Sequence, residues 1–166
     1  EKLKKPLRWG DLLDPAYQDR ILGLDPRATR TGFMAVAGWF SLWGDAGGWR
    51  YMEGLHRNIA AYMHSGNSPC DLVARGDYPI GISYAYRAAK MKAKGKPIEV
   101  IVPGDGVGWD VEAMAIVDGT PYAAAARQFV DWSIRRDAMD LQARGFGILT
   151  LPTAMPSLRF YSKKIK

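Results

Sequence analysis

The sequence has few of the residues that build redox or metal centres. It contains one cysteine, Cys70, and two histidines, His56 and His64. A single cysteine cannot form an internal disulfide, so a disulfide-stabilised scaffold is excluded. Glu53 and His56 have a spacing that can place two ligands on one helix face, but no second such pair accompanies them. We therefore expect no metal site and no cofactor.

Long hydrophobic runs are missing as well. No stretch approaches the ~18 consecutive apolar residues of a transmembrane helix, and the longest apolar segment, 32–43, is interrupted by glycines and a serine. The chain opens with Glu1 and a lysine-rich run instead of a signal peptide. We expect either that a signal was removed or that the sequence starts inside a longer protein.

Recognisable enzyme motifs are absent too. There is no Gly-x-Ser-x-Gly elbow and no Walker-type phosphate loop, and the glycine-rich run 104–108 lacks the dinucleotide spacing. The net charge is +6, from 23 basic and 17 acidic residues, but these charges are scattered and are not interleaved with aromatics. An enzyme acting on phosphate esters and a nucleic-acid module are therefore the less favoured alternatives.

Apolar runs alternate with helical patterns, which indicates an α/β fold with a largely parallel sheet flanked by helices. We expect the strands at 21–24, 80–84 and 98–102 to lie side by side in one sheet. Predicted strands are 21–24, 80–84, 98–102, 114–117 and 146–151; predicted helices are 33–43, 49–63, 69–74, 88–94, one from Pro121, and 137–144.

An apolar stripe and two helix caps support particular helices among these. The helix at 49–63 is predicted from one apolar stripe at three- and four-residue spacing. Helix caps are predicted at Asp14, before Pro15, and at Ser68, before Pro69. The members of the stripe are Tyr51, Met52, Leu55, Ile59 and Tyr62.

Three segments are typical of ligand-binding parts. Two are loops rich in hydroxyls and glycine that precede helices, where free backbone N–H groups and a partial positive charge favour anions. The third is a tyrosine pair at the end of a strand, where open α/β sheets bind ligands. The candidate residues are Thr29, Arg30, Thr31 and Gly32; Ser65, Gly66 and Ser68; and Tyr84 and Tyr86.

Structural explanations for the same residues stay open at this point. Thr31 can simply cap the helix that follows it. Tyr84 and Tyr86, if the strand is extended, point to one face and can equally be core or edge aromatics.

Four runs carry a resemblance to a known family: WGDLLDP at 9–15, YMHSGNSP at 62–69, GDYPIGIS at 76–83 and GVGWDVEAMAIV at 106–117. The helix with FVDW at 129–132 also fits. With these runs the sequence resembles the extracellular solute-binding proteins of ABC importers, in the group of ferric-iron, polyamine and phosphonate binders. It looks most like the 2-aminoethylphosphonate-binding proteins, over roughly residues 6–155.

The resemblance implies a periplasmic or extracytoplasmic protein of the type II periplasmic-binding-protein fold, with two hinged lobes. It assigns 7–102 to the second lobe, 103–113 to the hinge return, 114–155 to part of the first lobe and 156–166 to a tail. Because members have a longer segment before this start, we expect the chain to be a fragment of a two-lobed protein. Phe129, Trp132 and Ile134 would then be exposed.

The implied function is capture of a small anionic solute, such as 2-aminoethylphosphonate, and its delivery to an ABC permease. The protein would touch the membrane only through that permease, would bind no nucleic acid and would not be an enzyme. Trp109, Tyr84 and Tyr86, with Asp105, are candidates to receive an aminoethyl group. Ferric iron and polyamines remain the alternative ligands.

Overall fold

The computed structural model describes residues 3–145, 147, 149 and 150, and within them the chain is a mixed α/β structure. This confirms the predicted fold class. No helix in the described part is long and apolar enough to span a bilayer. After two short 3-10 turns, Trp9–Leu13 and Pro15–Tyr17, the strands are β1 (Ile21–Leu24), β2 (Ile59–Met63) and β3 (Ile80–Gly81). The helices are α1 (Arg30–His56), α2 (Ser68–Arg75), α3 (Ala85–Ala93), α4 (Ala123–Ser133) and α5 (Arg136–Ala143).

The sheet has three parallel strands in the order β2-β1-β3. All four residues of β1 are buried, which explains why this strand is a continuous apolar run without alternation. Its prediction at 21–24 is confirmed. The predicted strand 80–84 is only partly right, since β3 ends at Gly81, although the N–H of Ile82 still donates to the carbonyl oxygen of Leu22 at 2.9 Å.

The predicted helix at 49–63 is wrong beyond His56. The two predicted helices are present up to His56 as two segments of α1, which are separated at Gly44, where φ is 65° and ψ is −178°. Residues 59–63 form β2 instead. The physical reason is the buried Asn58 amide, which donates to the carbonyl oxygens of Leu12 at 2.7 Å and Asp14 at 2.9 Å and so fixes the chain at the turn into β2.

The predicted strands at 98–102 and 114–117 are also wrong, because neither joins the sheet. Ile98 and Val100 are buried against α2 and α3, in a small cluster with Cys70 and Ala89. The segment 114–117 is exposed throughout. The third strand of the sheet is β2 and not 98–102, so the expected side-by-side arrangement holds only for 21–24 and the start of 80–84.

The main core lies between α1, the entry turns and the sheet. Its centre is aromatic: Trp39 meets Trp9 edge-on, with ring centroids 5.4 Å apart, and Tyr51 at 5.1 Å. The predicted cap at Asp14 is confirmed, since its carboxylate accepts the backbone N–H of Ala16. The buried members of this core are Trp9, Leu12, Tyr17, Ile21, Trp39, Tyr51, Leu55 and Ile59.

The two last helices, α4 and α5, confirm the helices predicted from Pro121 and at 137–144, with shifts of one or two residues at their ends. Phe129 and Trp132 on α4, and Ile134 at its C-terminal cap, are 57%, 41% and 64% exposed. The predicted strand at 146–151 and the tail at 156–166 lie largely or wholly outside the described residues.

Candidate anion site at the carboxyl edge of the sheet

The carboxyl ends of the three parallel strands lead into the N-termini of three helices. β1 is followed by α1, β2 by α2 and β3 by α3. Because the strands run parallel, these N-termini gather at one edge of the sheet. Each presents backbone N–H groups without a helical partner and the positive end of a helix dipole, so the edge favours an anion.

Thr29 and Gly32 are already engaged with each other. Thr29, not Thr31, is the N-cap of α1: its hydroxyl accepts the N–H of Gly32 at 3.0 Å and donates to the carbonyl oxygen of Asp25 at 2.9 Å. Both Thr29 and Gly32 are buried. The capping explanation therefore applies to Thr29 and leaves Thr31 available.

Thr31, Gly66 and Tyr84 meet at this edge. A Cβ added to Gly66 would lie 2.6 Å from Cε2 of Tyr84 and 2.8 Å from Oγ1 of Thr31. The two loops predicted to face one crevice are thus in contact. Oγ1 of Thr31 and Oδ1 of Asn67 are shielded from solvent and find no hydrogen-bond partner within the described residues.

Asn67 is a residue that sequence reasoning missed. It is the N-cap of α2, where Ser68 was predicted, but its side chain makes no capping hydrogen bond. Ser68 is instead the first residue of the helix, and its N–H donates to the carbonyl oxygen of Ser65 at 3.2 Å. The available signal was the position of Asn67 inside the same hydroxyl-and-glycine loop, since Asn is a preferred capping residue.

Tyr84 and Tyr86 lie together, but not by strand alternation. Tyr84 is the N-cap of α3 and Tyr86 is its second residue. Their ring centroids are 5.1 Å apart with planes tilted by 38°. Tyr84 is partly buried against Gly66, while Tyr86 is exposed, so one face of the pair is open to solvent beside the loops.

Arg30, the first residue of α1, is paired with a carboxylate that sequence reasoning missed. Its guanidinium donates through Nε and Nη2 to Oδ2 of Asp110, and the Nε distance is 3.1 Å. This pair lowers the pKa of Asp110 and raises that of Arg30, and the Val111 N–H lowers the pKa of Asp110 further. Asp105, considered as a ligand group, instead accepts the backbone N–H of Trp9.

Trp109 precedes Asp110 and is 75% exposed. It lines a shallow groove of about 250 Å³ together with one face of α1, including Met34 and Leu42. None of the other predicted site residues lines this groove.

A larger cavity than this groove lies elsewhere, between α1 and the sheet. It has a volume of about 320 Å³ and shares only Gly32 with the predicted site. Its walls are mostly apolar, with Trp39, Leu55 and Ile59 among them. An apolar cavity of this kind offers an anion few donors, so we assign the candidate site to the open edge with its N–H groups and hydroxyls.

Asp25, at the end of β1, should make stability depend on pH at this edge. The side chain and backbone N–H of Arg27 lower the pKa of the Asp25 carboxyl to about 2. Because this is below the unfolded value of about 3.9, its stabilising contribution is complete above about pH 5 and is lost as the pH falls towards 2.

Urea unfolding of wild type and Asp25→Asn checks this at several pH values. The variant should be less stable at pH 6, and the difference should shrink as the pH falls below 4. Asp45→Asn, on an exposed position of α1, is the control. A difference for Asp25→Asn that stays constant down to pH 2.5 would contradict the argument.

The chain matches the family of bacterial extracellular solute-binding proteins over residues 1–161, and it belongs to that family. The protein is therefore extracytoplasmic, as the resemblance implied.

Individual relatives are similar over nearly all of this chain but extend well beyond it. An uncharacterized protein of Haemophilus influenzae is 32% identical, over 92% of this chain and 45% of its own length. The periplasmic binding protein AfuA from Actinobacillus pleuropneumoniae, solved with exogenous fructose-6-phosphate bound, is 31% identical with a TM-score of 0.80, over 92% of this chain and 48% of AfuA. The periplasmic binding protein P5PA is 28% identical with a TM-score of 0.80, over 93% of this chain and 51% of P5PA. The chain thus spans about half the length of these relatives.

Proposed function

We propose that this chain carries one half of the ligand site of an ABC-importer substrate-binding protein that captures a small anionic solute. The observation that carries the proposal is the contact of Thr31, Gly66 and Tyr84 where three helix N-termini gather. Backbone N–H groups, a hydroxyl and the Arg30 guanidinium are the donors that a phosphonate or phosphate oxygen accepts. The solute would then be delivered to an ABC permease, the only contact with the membrane.

The ligand class is proposed to be a phosphonate, with 2-aminoethylphosphonate as its representative. A phosphonate and a phosphate share the same three-oxygen head, and the similar AfuA holds a phosphorylated sugar. The Tyr84–Tyr86 pair beside the loops offers aromatic faces to a small organic cation. No nucleic acid is part of this proposal.

The domain assignment stays part of the proposal. Residues 7–102 are taken as the second lobe, 103–113 as the hinge return, 114–155 as part of the first lobe and 156–166 as a tail. The exposed aromatic side chains on α4 support an assignment of α4 to a different body from the sheet, because large apolar patches rarely stay bare.

Catalysis is not proposed. The groups assigned to the ligand are hydrogen-bond donors and the Arg30 cation, and binding proteins of this family are not enzymes. Turnover against a panel of phosphate esters would revive the enzyme alternative.

Ferric iron is the second candidate, because the Tyr84 and Tyr86 rings lie only 5.1 Å apart and phenolate oxygens are hard ligands. Calorimetry of the complete protein with 2-aminoethylphosphonate, phosphate, Fe³⁺ and putrescine separates these cases. Binding of Fe³⁺ without any phosphonate would reverse the order of the two candidates.

Replacing Thr31 and Ser65 together with alanine in the complete protein should weaken 2-aminoethylphosphonate binding by about 1–3 kcal/mol, the range for hydrogen bonds to a charged group. Calorimetry measures the change, and circular dichroism checks the fold. Thr120→Ala, outside the edge, should leave affinity unchanged. Unaltered affinity in a correctly folded double variant would remove these loops from the site.

A further inference from the structure

A segment far along the chain is fixed across the start of α1. In this segment, the strap (residues 104–110), the N–H of Gly104 donates to the carbonyl oxygen of Leu7 at 2.9 Å, and the carbonyl oxygen of Gly106 accepts Nε1 of Trp9 at 2.7 Å. At Gly108 the strap touches the backbone of α1, where a Cβ would lie 2.1 Å from the carbonyl oxygen of Met34. The strap therefore has little freedom to shift along the helix.

The strap ends at Asp110, whose two carboxylate oxygens are both engaged. Oδ2 accepts the Arg30 guanidinium, and Oδ1 accepts the N–H of Val111 at 2.8 Å. Arg30 and Asp110 remain roughly half exposed. Arg30 directly precedes Thr31, so the ion pair stands beside the donors of the candidate anion site.

The position of the Arg30–Asp110 ion pair beside the site opposes the binding of a ligand that carries only negative charge. An anion at the start of α1 attracts Arg30 away from Asp110 and leaves the carboxylate unpaired next to a second negative charge. A ligand that carries an anionic and a cationic group avoids this outcome. Its anion takes Arg30 while its cation takes Asp110, so that both charges keep partners.

We infer that Asp110 is a specificity-determining residue that selects zwitterionic ligands over simple anions of the same shape. The inference rests on the proposed function and defines its ligand class more closely. The ring of Tyr84 lies at the contact of Gly66 with Thr31, the residue that follows Arg30, and an aromatic face there suits a small ammonium group.

The test compares 2-aminoethylphosphonate with ethylphosphonate, which lacks the amine, by calorimetry on the complete protein. Wild type should prefer the zwitterion by about two- to fivefold, as expected for one partly exposed charge pair. In Asp110→Asn this preference should vanish, while ethylphosphonate binds as well as before or better. Glu112→Gln, an acidic neighbour without a hydrogen bond to Arg30, is the matched control and should keep the preference.

Each other outcome counts against the inference. An equal loss of affinity for both ligands in Asp110→Asn would show that Asp110 has a structural role. An unchanged preference for the zwitterion would show that the carboxylate does not bind the ammonium group. Wild type that binds both ligands equally would overturn the inference alone. Wild type that binds neither would overturn the proposed function together with it.

Discussion

Trp39→Ala is expected to lower the free energy of unfolding by about 3–5 kcal/mol. Trp39 is 6% exposed and packs edge-on against Trp9 and Tyr51 at the centre of the main core. It also lines the cavity of about 320 Å³ between α1 and the sheet, so truncation enlarges an existing void instead of letting the core close. Urea unfolding followed by far-UV circular dichroism measures the loss, which is a large fraction of the stability of a typical domain.

Two further variants separate packing from other causes. Trp49→Ala, at a position 61% exposed on the same helix, should cost less than about 1 kcal/mol. Trp39→Phe keeps most of the ring packing and removes Nε1, which is buried and has no hydrogen-bond partner in the described structure, so it should be far milder than Trp39→Ala. Equal losses for Trp39→Ala and Trp49→Ala would contradict the assigned core.

Gly108→Ala is the second large effect, expected to destabilise the chain by about 2–3 kcal/mol, because overpacking of a tight contact costs this much. The new methyl group would lie 2.1 Å from the carbonyl oxygen of Met34. The atom that the methyl group meets belongs to the helix backbone and cannot rotate away, and Gly38, which faces Gly108, has no side chain that could move aside. The strap must therefore lift from α1.

Denaturation of Gly108→Ala, together with hydrogen exchange at the strap, checks this result. The N–H of Gly104 should lose protection, because its bond to Leu7 depends on the strap lying in place. Gly10→Ala is the control, since a Cβ there meets nothing within 4 Å. Wild-type stability and protection in Gly108→Ala would mean that the strap does not lie against the helix.

Local chemistry was enough to predict part of the fold. The strand at 21–24 is apolar throughout and is closed by Asp25 and Pro26, and turn chemistry of this kind acts within a few residues. The Asp14 cap is equally local. The helix at 49–63 failed because Ile59 and Tyr62 continue the three- and four-residue spacing of Tyr51 and Leu55 by coincidence. What ends the helix is the Asn58 amide and its partners near the start of the chain.

The candidate site shows the same division. Hydroxyl-and-glycine loops before helices could be recognised from sequence, and the parallel order of the sheet then gathers them. Asp110 could not be predicted as the partner of Arg30. It reaches Arg30 only because the strap lies across α1, and the course of the strap depends on the contact of Gly108 with that helix. Asn67 could have been predicted as the N-cap from its residue type, but the adjacent Ser68, also a preferred capping residue, was chosen instead.

The strand order also has a consequence for how the chain acquires its fold. Ile21 pairs with Ile59 on one side and with Ile80 on the other, so β1, although it comes first in the chain, has no partner until the later strands arrive. Bringing β2 and β3 to β1 costs the entropy of closing long loops before any hydrogen bond between the strands can form. The helix α1, whose contacts are local, can form earlier. We therefore expect the central strand to be among the last elements to become ordered, and its apolar side chains to be open to association with other chains until then.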